Sequence, residues 1–323
     1  MTPSPPPRTA ATPTDPGTLK AVPVRHYGQW VAAVVCLALL FLLVRAVAAN
    51  EFIQWDVIGS RIFFATILDG LLTTIWLTVA SMVLGVIGGV VIAVMRLSDN
   101  PVLRTISAGF VWLFRGTPVL VQILIWFNLA LFFPRLGLGD FSVSTNDLVT
   151  PFTAALLALT LNEAAYMSEI VRGGILAVEG GQREAAEALG MTGGLVLRRI
   201  ILPQAMKVII PPTGNELVTL LKTTSLVAVI GAGDLLTRAQ GVGATDFTRL
   251  EMLIVASIWY LVLTTIASTG QSMLERRFLR GSTHAGSRPS VLRRVATDLR
   301  PGRNRDAGTV VPPVPPSEER GAR

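Results

Sequence analysis

The chain has 323 residues, of which 51% are hydrophobic and only 15% charged, with a mean hydropathy of +0.56. That balance excludes an ordinary soluble domain and fits a polytopic membrane protein. The net charge of +7 does not point to a nucleic-acid partner, because the arginines gather in loops beside apolar segments and in the C-terminal tail, where anionic membrane lipids attract them. Residues 1–27, rich in proline, threonine and alanine, read as a disordered tail. Trp30 to Val44 is an uninterrupted apolar run that extends through a snorkelling Arg45 to Ala49, so residues 28–49 form one spanning helix. Ala46-Val47-Ala48 also has the pattern of a signal-peptide cleavage site, and a cleaved signal remains the alternative to an anchor; the long polar leader favours the anchor. Cys36, the single cysteine, lies in this run, which rules out an internal disulfide or a cysteine metal cluster and reads as a buried, inert thiol.

Glu51 to Asp69 reads as a partly interfacial connection. Gly70 to Met95 is the second span, with Gly85 and Gly89 forming a GxxxG packing face. After a short basic loop, Arg96 to Arg104, a third apolar segment reaches Phe133, broken at Arg115-Gly116-Thr117-Pro118. Such a break at membrane depth is tolerated only where protein or a water-filled cavity covers it. Arg135 to Thr150 is a polar loop. Pro151 to Val178 is the fourth segment, and its second half carries Asn162, Glu163, Glu169 and Arg172. Lys207 to Leu236 is the fifth, containing Pro211, Pro212, Asn215, Glu216 and Lys222. Met252 to Leu274 is an uncharged sixth, and residues 276–323 form a disordered basic tail.

The longest polar interruption, Gly180 to Pro203, organises the rest. Gly180 and Gly181 break the preceding helix, Gln182 to Leu189 form a short one, and Gly190 sits where a left-handed stop is needed. Thr192 is positioned to cap a second short helix that Pro203 ends. Periodicity alone fits an amphipathic loop lying on the membrane surface equally well. The spacing Glu184-Ala185-Ala186, then Gly190, Ile200 and Leu202-Pro203 resembles the EAA loop of bacterial ABC-importer permeases. The resemblance implies a coupling helix that docks into a cytoplasmic ATPase, with small Ala185 and Ala186 allowing close approach and Arg183 and Glu184 pairing with charges on the partner.

Further stretches are similar to the polar amino acid branch of that family. They are Arg115-Gly116-Thr117-Pro118 with Gln122, Ala165-Tyr166 with Glu169-Ile170 and Arg172-Gly173-Gly174-Ile175, Leu202-Pro203-Gln204-Ala205, and Asn215 with Lys222 and Thr224-Ser225-Leu226. The resemblance covers residues 68–275 and implies a five-helix type I permease core with one additional N-terminal helix. Thr223 departs from it, standing where many relatives carry an acidic residue, and the Asn162-Glu163 pair is not general in the family. With the EAA loop placed in the cytoplasm, both tails fall inside. The inside then holds Arg8, Lys20, Arg25, Arg96, Arg104, Arg172, Arg183, Arg198, Arg199, Lys207 and the eleven arginines from Arg276 onward, and the outside holds Arg61, Arg135, Arg238 and Arg249, with Arg45 at the rim, in accord with the positive-inside rule.

Catalytic and metal sites are not expected. His26 and His284 lie in the tails, so an intramembrane serine hydrolase lacks its base. Lys20, Lys207 and Lys222 are the only lysines, and none follows the glycine pattern of a phosphate-binding loop, so the chain does not bind ATP in the usual way; the EAA-loop resemblance implies that a partner subunit hydrolyses ATP and that this chain holds no cofactor. Asn162, Tyr166, Glu169 and Gly173 fall on one helical stripe with Glu163 at its edge. A carboxylate at that depth costs about 2.5 to 3.5 kcal/mol, so Glu163 needs compensation, either from a substrate ammonium or from a structural partner. Glu169 can pair with Arg172 at i,i+3. Lys222 is a candidate for the substrate carboxylate, with pairing to Glu216 or snorkelling as alternatives, and Arg115 with Pro118 reads as a gating or helix-packing element.

The resulting expectation is an all-α permease subunit, in the bacterial cell membrane with both termini cytoplasmic. It would import polar amino acids with cytoplasmic ATPase subunits, an extracytoplasmic binding protein and a second permease copy or relative. A secondary transporter or channel that needs no ATPase is the alternative. For the anchor, intact-mass measurement of membrane-purified protein is expected to show a chain retaining Met1 or Thr2. A mature start at Ala49 would leave five helices and an external N-terminus.

Overall fold

The computed structural model describes residues 27–137 and 142–279; the expectations for most of both tails lie outside them. The described residues are all-helical apart from one two-residue antiparallel pairing. Helix α1 (Tyr27–Ala48) is exposed along its length from Gly28, as a segment apolar on every side must be when it packs on lipid. Cys36 is accordingly exposed and not buried as its apolar context suggested. Helix α2 (Trp55–Arg61) is followed by α3 (Ala65–Leu97), whose 33 residues span about 50 Å at 1.5 Å each. The helix begins five residues before the expected start, so Asp69 lies inside it, in the second turn.

The expected loop Arg96 to Arg104 shrinks to three residues. Asn100 caps α4 (Pro101–Gly116) by accepting the Val102 N–H at 2.9 Å, and Pro101 occupies the first turn, where its missing N–H is harmless. The chain then breaks where proline demands it. Thr117 is extended (φ −113°, ψ 144°) ahead of Pro118, and α5 (Val119–Phe127) starts afresh. A turn of helix, α6 (Leu129–Phe132), precedes strands β1 (Arg135–Leu136) and β2 (Val143–Ser144), and α7 (Thr145–Leu148) leads into α8 (Pro151–Leu176). The helix α9 (Gly180–Ala188) and the short α10 (Gly193–Val196) follow.

Two readings of this region need correction. Gly180 and Gly181 form the first turn of α9 and do not break the helix before it, which has ended at Leu176. Pro203 does not end a helix. The chain runs from α10 through a π-helical turn, Leu197–Ile201, straight into α11 (Leu202–Thr223), so Pro203 lies inside one continuous helical run, just after the turn where the ladder leaves α-geometry. A 3-10 turn, Thr224–Ile230, ends at left-handed Gly231 (φ 67°), so the fifth segment stops short of Leu236. Then come α12 (Leu235–Thr245) and α13 (Arg249–Leu279).

Three helices, α1, α3 and α13, are long and apolar enough to cross a membrane, and two interrupted pairs raise the number to five. The expected sixth is α8, which is long enough but is made too polar by Asn162, Glu163, Glu169 and Arg172 to count on composition.

The described residues form two compact units. The first comprises residues to Ser81, Pro118–Leu159 and Leu221–Leu263. Its core joins Ile67, Leu71, Leu235, Ala239, Met252 and Val255. Two polar ties hold the same elements: Arg61 pairs with Asp246 at 2.7 Å, and the Trp259 indole donates to the Ile62 carbonyl at 2.8 Å. The second comprises Met82–Thr117, Thr160–Leu220 and Thr264 onward, with a core of Ala93, Met167, Val171, Ala205 and Ile209.

Asp234 caps α12 through the Leu236 and Thr237 N–H groups, and the fully buried Thr74 hydroxyl accepts the Leu235 N–H at 3.0 Å. Thr74→Val keeps the shape and strands that N–H, at about 1 to 3 kcal/mol. Thermal unfolding of the purified protein is expected to show a lower Tm for Thr74→Val and a smaller loss for Thr74→Ser, which retains the acceptor.

Candidate functional site: a polar stripe and a cytoplasmic-type loop

Both sequence-predicted constellations fall largely in the second unit. In the loop, Gly190 is left-handed (φ 79°), and a side chain there would meet open space, so glycine is required by its backbone conformation alone. Its N–H donates to the Glu187 carbonyl at 2.9 Å, and the Met191 N–H donates to that of Ala186 at 3.1 Å, which closes the end of α9. Thr192 occupies the capping position of α10, but its hydroxyl makes no cap bond.

The two alanines separate. Ala185 is exposed, whereas Ala186 is buried at 5% exposure. Glu184 and Pro203 are exposed and Ile200 is half-buried. Arg183 pairs within α9 to Glu187 at 2.9 Å. Two residues that the sequence did not single out complete the loop. Leu189 is 83% exposed, an apolar side chain held out at the turn. The Gln204 amide donates to Gln182 Oε1 at 2.6 Å and to the Ile200 carbonyl at 2.9 Å, tying the start of α9 to the start of α11.

On α8 the stripe is real and each member has a distinct setting. Asn162 donates its amide to the Phe114 carbonyl at 2.9 Å, in the last turn of α4. The Arg115 guanidinium lies over the Tyr166 ring, 5.0 Å from its centre, a cation–π contact. Glu169 takes Arg172 at 2.8 Å and also Arg96 from the end of α3. Spacing gave the first partner but not the second, because Arg96 is 73 residues away in sequence.

Glu163 differs from all of these. It is 4% exposed, and its Oε1 has no hydrogen-bond partner among the described residues. Lys222 and Pro118 belong to the first unit, where both are exposed, so the stripe is assembled without them.

Comparison with known proteins follows the same outline. Residues 83–280 match the family model described as binding-protein-dependent transport system inner membrane component. An arginine transport system permease protein of Corynebacterium glutamicum is 46% identical over 275 residues, 84% of this chain and 87% of that protein. One of Bacillus subtilis, also an arginine transport system permease protein, is 39% identical over 211 residues, 65% of this chain and 91% of its own length. Among solved structures, that of an amino acid ABC transporter with histidines aligns at a TM-score of 0.59 and 36% identity, covering 66% of this chain and 94% of that one.

Proposed function

The chain belongs to the binding-protein-dependent transport system inner membrane component family and is the permease subunit of an ABC importer for polar amino acids; we propose that its cargo is a cationic, arginine-like amino acid. The observation that carries this cargo is Glu163, a buried carboxylate with an unpartnered oxygen on a helix within the membrane domain. A carboxylate so placed is costly without a cation, and a guanidinium or ammonium passing through the permease supplies one. Asn162 and Tyr166 flank it on the stripe. The names of the two arginine permeases support the same class.

ATP hydrolysis takes place in separate cytoplasmic subunits that grip the loop Gly180 to Pro203. An extracytoplasmic binding protein delivers the amino acid, and a second permease copy or relative completes the pathway. Closure of the ATPases draws the two loops together and rocks the helices between inward-facing and outward-facing states. Exposed Glu184, Ala185 and Leu189 form the docking face, and buried Ala186 holds that face in shape. Glu169 with Arg96 and Arg172, and Arg115 on Tyr166, act as packing or gating elements around the pathway.

The loop assignment predicts two effects. Leu189→Asp places a charge in an apolar docking contact, and Gly190→Val forces a branched residue into a left-handed backbone at about 1 to 2 kcal/mol. Both variants are expected to insert in the membrane but to lose co-purifying ATPase and uptake. Normal co-purification with normal uptake in both would remove the assignment.

Glu163→Gln retains shape and hydrogen-bonding capacity but removes the charge. The complex is expected to assemble with unchanged Tm and basal ATPase activity and to take up arginine at a strongly reduced but measurable rate. A Tm that falls without substrate would instead assign Glu163 to a structural role.

A further inference from the structure

We infer that Gly85 is a positioning residue for Glu163, so that a glycine on α3 sets where the carboxylate of the cargo site stands; this rests on the reading of Glu163 given above. Here α3 approaches α8 so closely that a Cβ built on Gly85 would stand 2.6 Å from Cγ of Glu163 and 2.8 Å from its Cβ, where real Cβ atoms essentially never come under 3.0 Å. The first two carbons of the glutamate side chain therefore lie against the bare backbone of α3.

One turn further, Gly89 makes an equally close approach with different chemistry. Its Cβ would meet Cβ of Met167 at 2.5 Å and the backbone atoms Met167 C and Ser168 N, each at 3.0 Å. Backbone cannot swing aside, so a methyl group at Gly89 separates the helices. At Gly85 the nearest atom is a γ-carbon that moves with χ1, so a methyl group there turns the glutamate away, and the Glu163 Cβ at 2.8 Å, fixed to the α8 backbone, must shift as well. No hydrogen bond within the described residues holds Glu163 Oε1 against that turn. Thr160 Oγ1, one turn earlier on α8, is likewise buried without a partner, so this stretch carries unused hydrogen-bonding capacity where the helices are closest.

The test is a double-mutant cycle on the whole complex with its binding protein in proteoliposomes, measuring labelled arginine uptake and Tm. Gly85→Ala is expected to lower uptake about tenfold with Glu163 present and to change it less than about twofold in the Glu163→Gln background, because residues acting as a unit are not additive. Gly89→Ala is expected to have the same effect in both backgrounds. An equal penalty for Gly85→Ala in both backgrounds, with Glu163→Gln itself defective, overturns the role of Gly85 and leaves the cargo site standing. Normal uptake in Glu163→Gln overturns the cargo site and the positioning role together. Should Gly85→Ala fail to assemble, Gly85→Ala/Glu163→Gly, which removes both contacted carbons, decides: recovered assembly supports the contact with Glu163, and no recovery overturns it.

Discussion

Lipid offers no replacement for a broken backbone hydrogen bond, so each interruption of a helix at membrane depth must be satisfied by the chain itself. The junction ahead of α12 shows how this constraint shapes the first unit. Gly231 and Gly233 take left-handed conformations to make the turn, Asp234 accepts two of the freed N–H groups, and Thr74 reaches from α3 to accept the next. The apolar core then gathers around the same point, with Leu235 fully buried among Ile67, Leu71, Met252 and Val255. A polar device thus fixes α3 to α12, and the hydrophobic contacts bring α13 in around it.

The second unit meets a related problem with charges. Glu169 and Glu163 lie on one helix, six positions apart, yet the fold treats them oppositely. Glu169 is held by two guanidiniums, Arg172 from its own helix and Arg96 from α3, and its side chain keeps 20% exposure. Glu163 is more deeply buried and has an oxygen that nothing in the described residues satisfies. Removing one partner of a buried pair is strongly destabilising, which is why structural carboxylates come with partners. A carboxylate left without one fits a site whose partner arrives and departs.

Much of this was legible in the sequence because it depends on local rules. The break at Thr117-Pro118, the left-handed Gly190, the packing glycines Gly85 and Gly89, and the Glu169–Arg172 pair each follow from a residue's own conformational limits or from helical spacing. What escaped depends on which surfaces meet. Arg96 reaches Glu169 across 73 residues, Gln204 bridges to Gln182 across 22, and the burial of Ala186 beside an exposed Ala185 is decided by which face of α9 turns inward. Pro203 misled for a different reason. Proline need not end a helix: here a π-helical turn immediately precedes it and the helix continues through position 203.

That continuity bears on how a push at the loop travels. If α10 had ended at Pro203, the loop would hang from α11 by a flexible joint, and a displacement at Leu189 would be absorbed there. Instead the chain stays helical from Gly193 through the π-helical turn into α11, with the Gln182–Gln204 bond linking the start of α9 to the first turn of α11. The ladder is least regular at Leu197–Ile201, the point where such a link is most needed, since π-helical turns are common sites of yielding within helices. In the proposed coupling, α9 and α11 therefore move as one body. The second unit then carries motion from the loop to α11, and Ala205 and Ile209 of α11 pack with Met167 and Val171 of the same helix that holds Glu163.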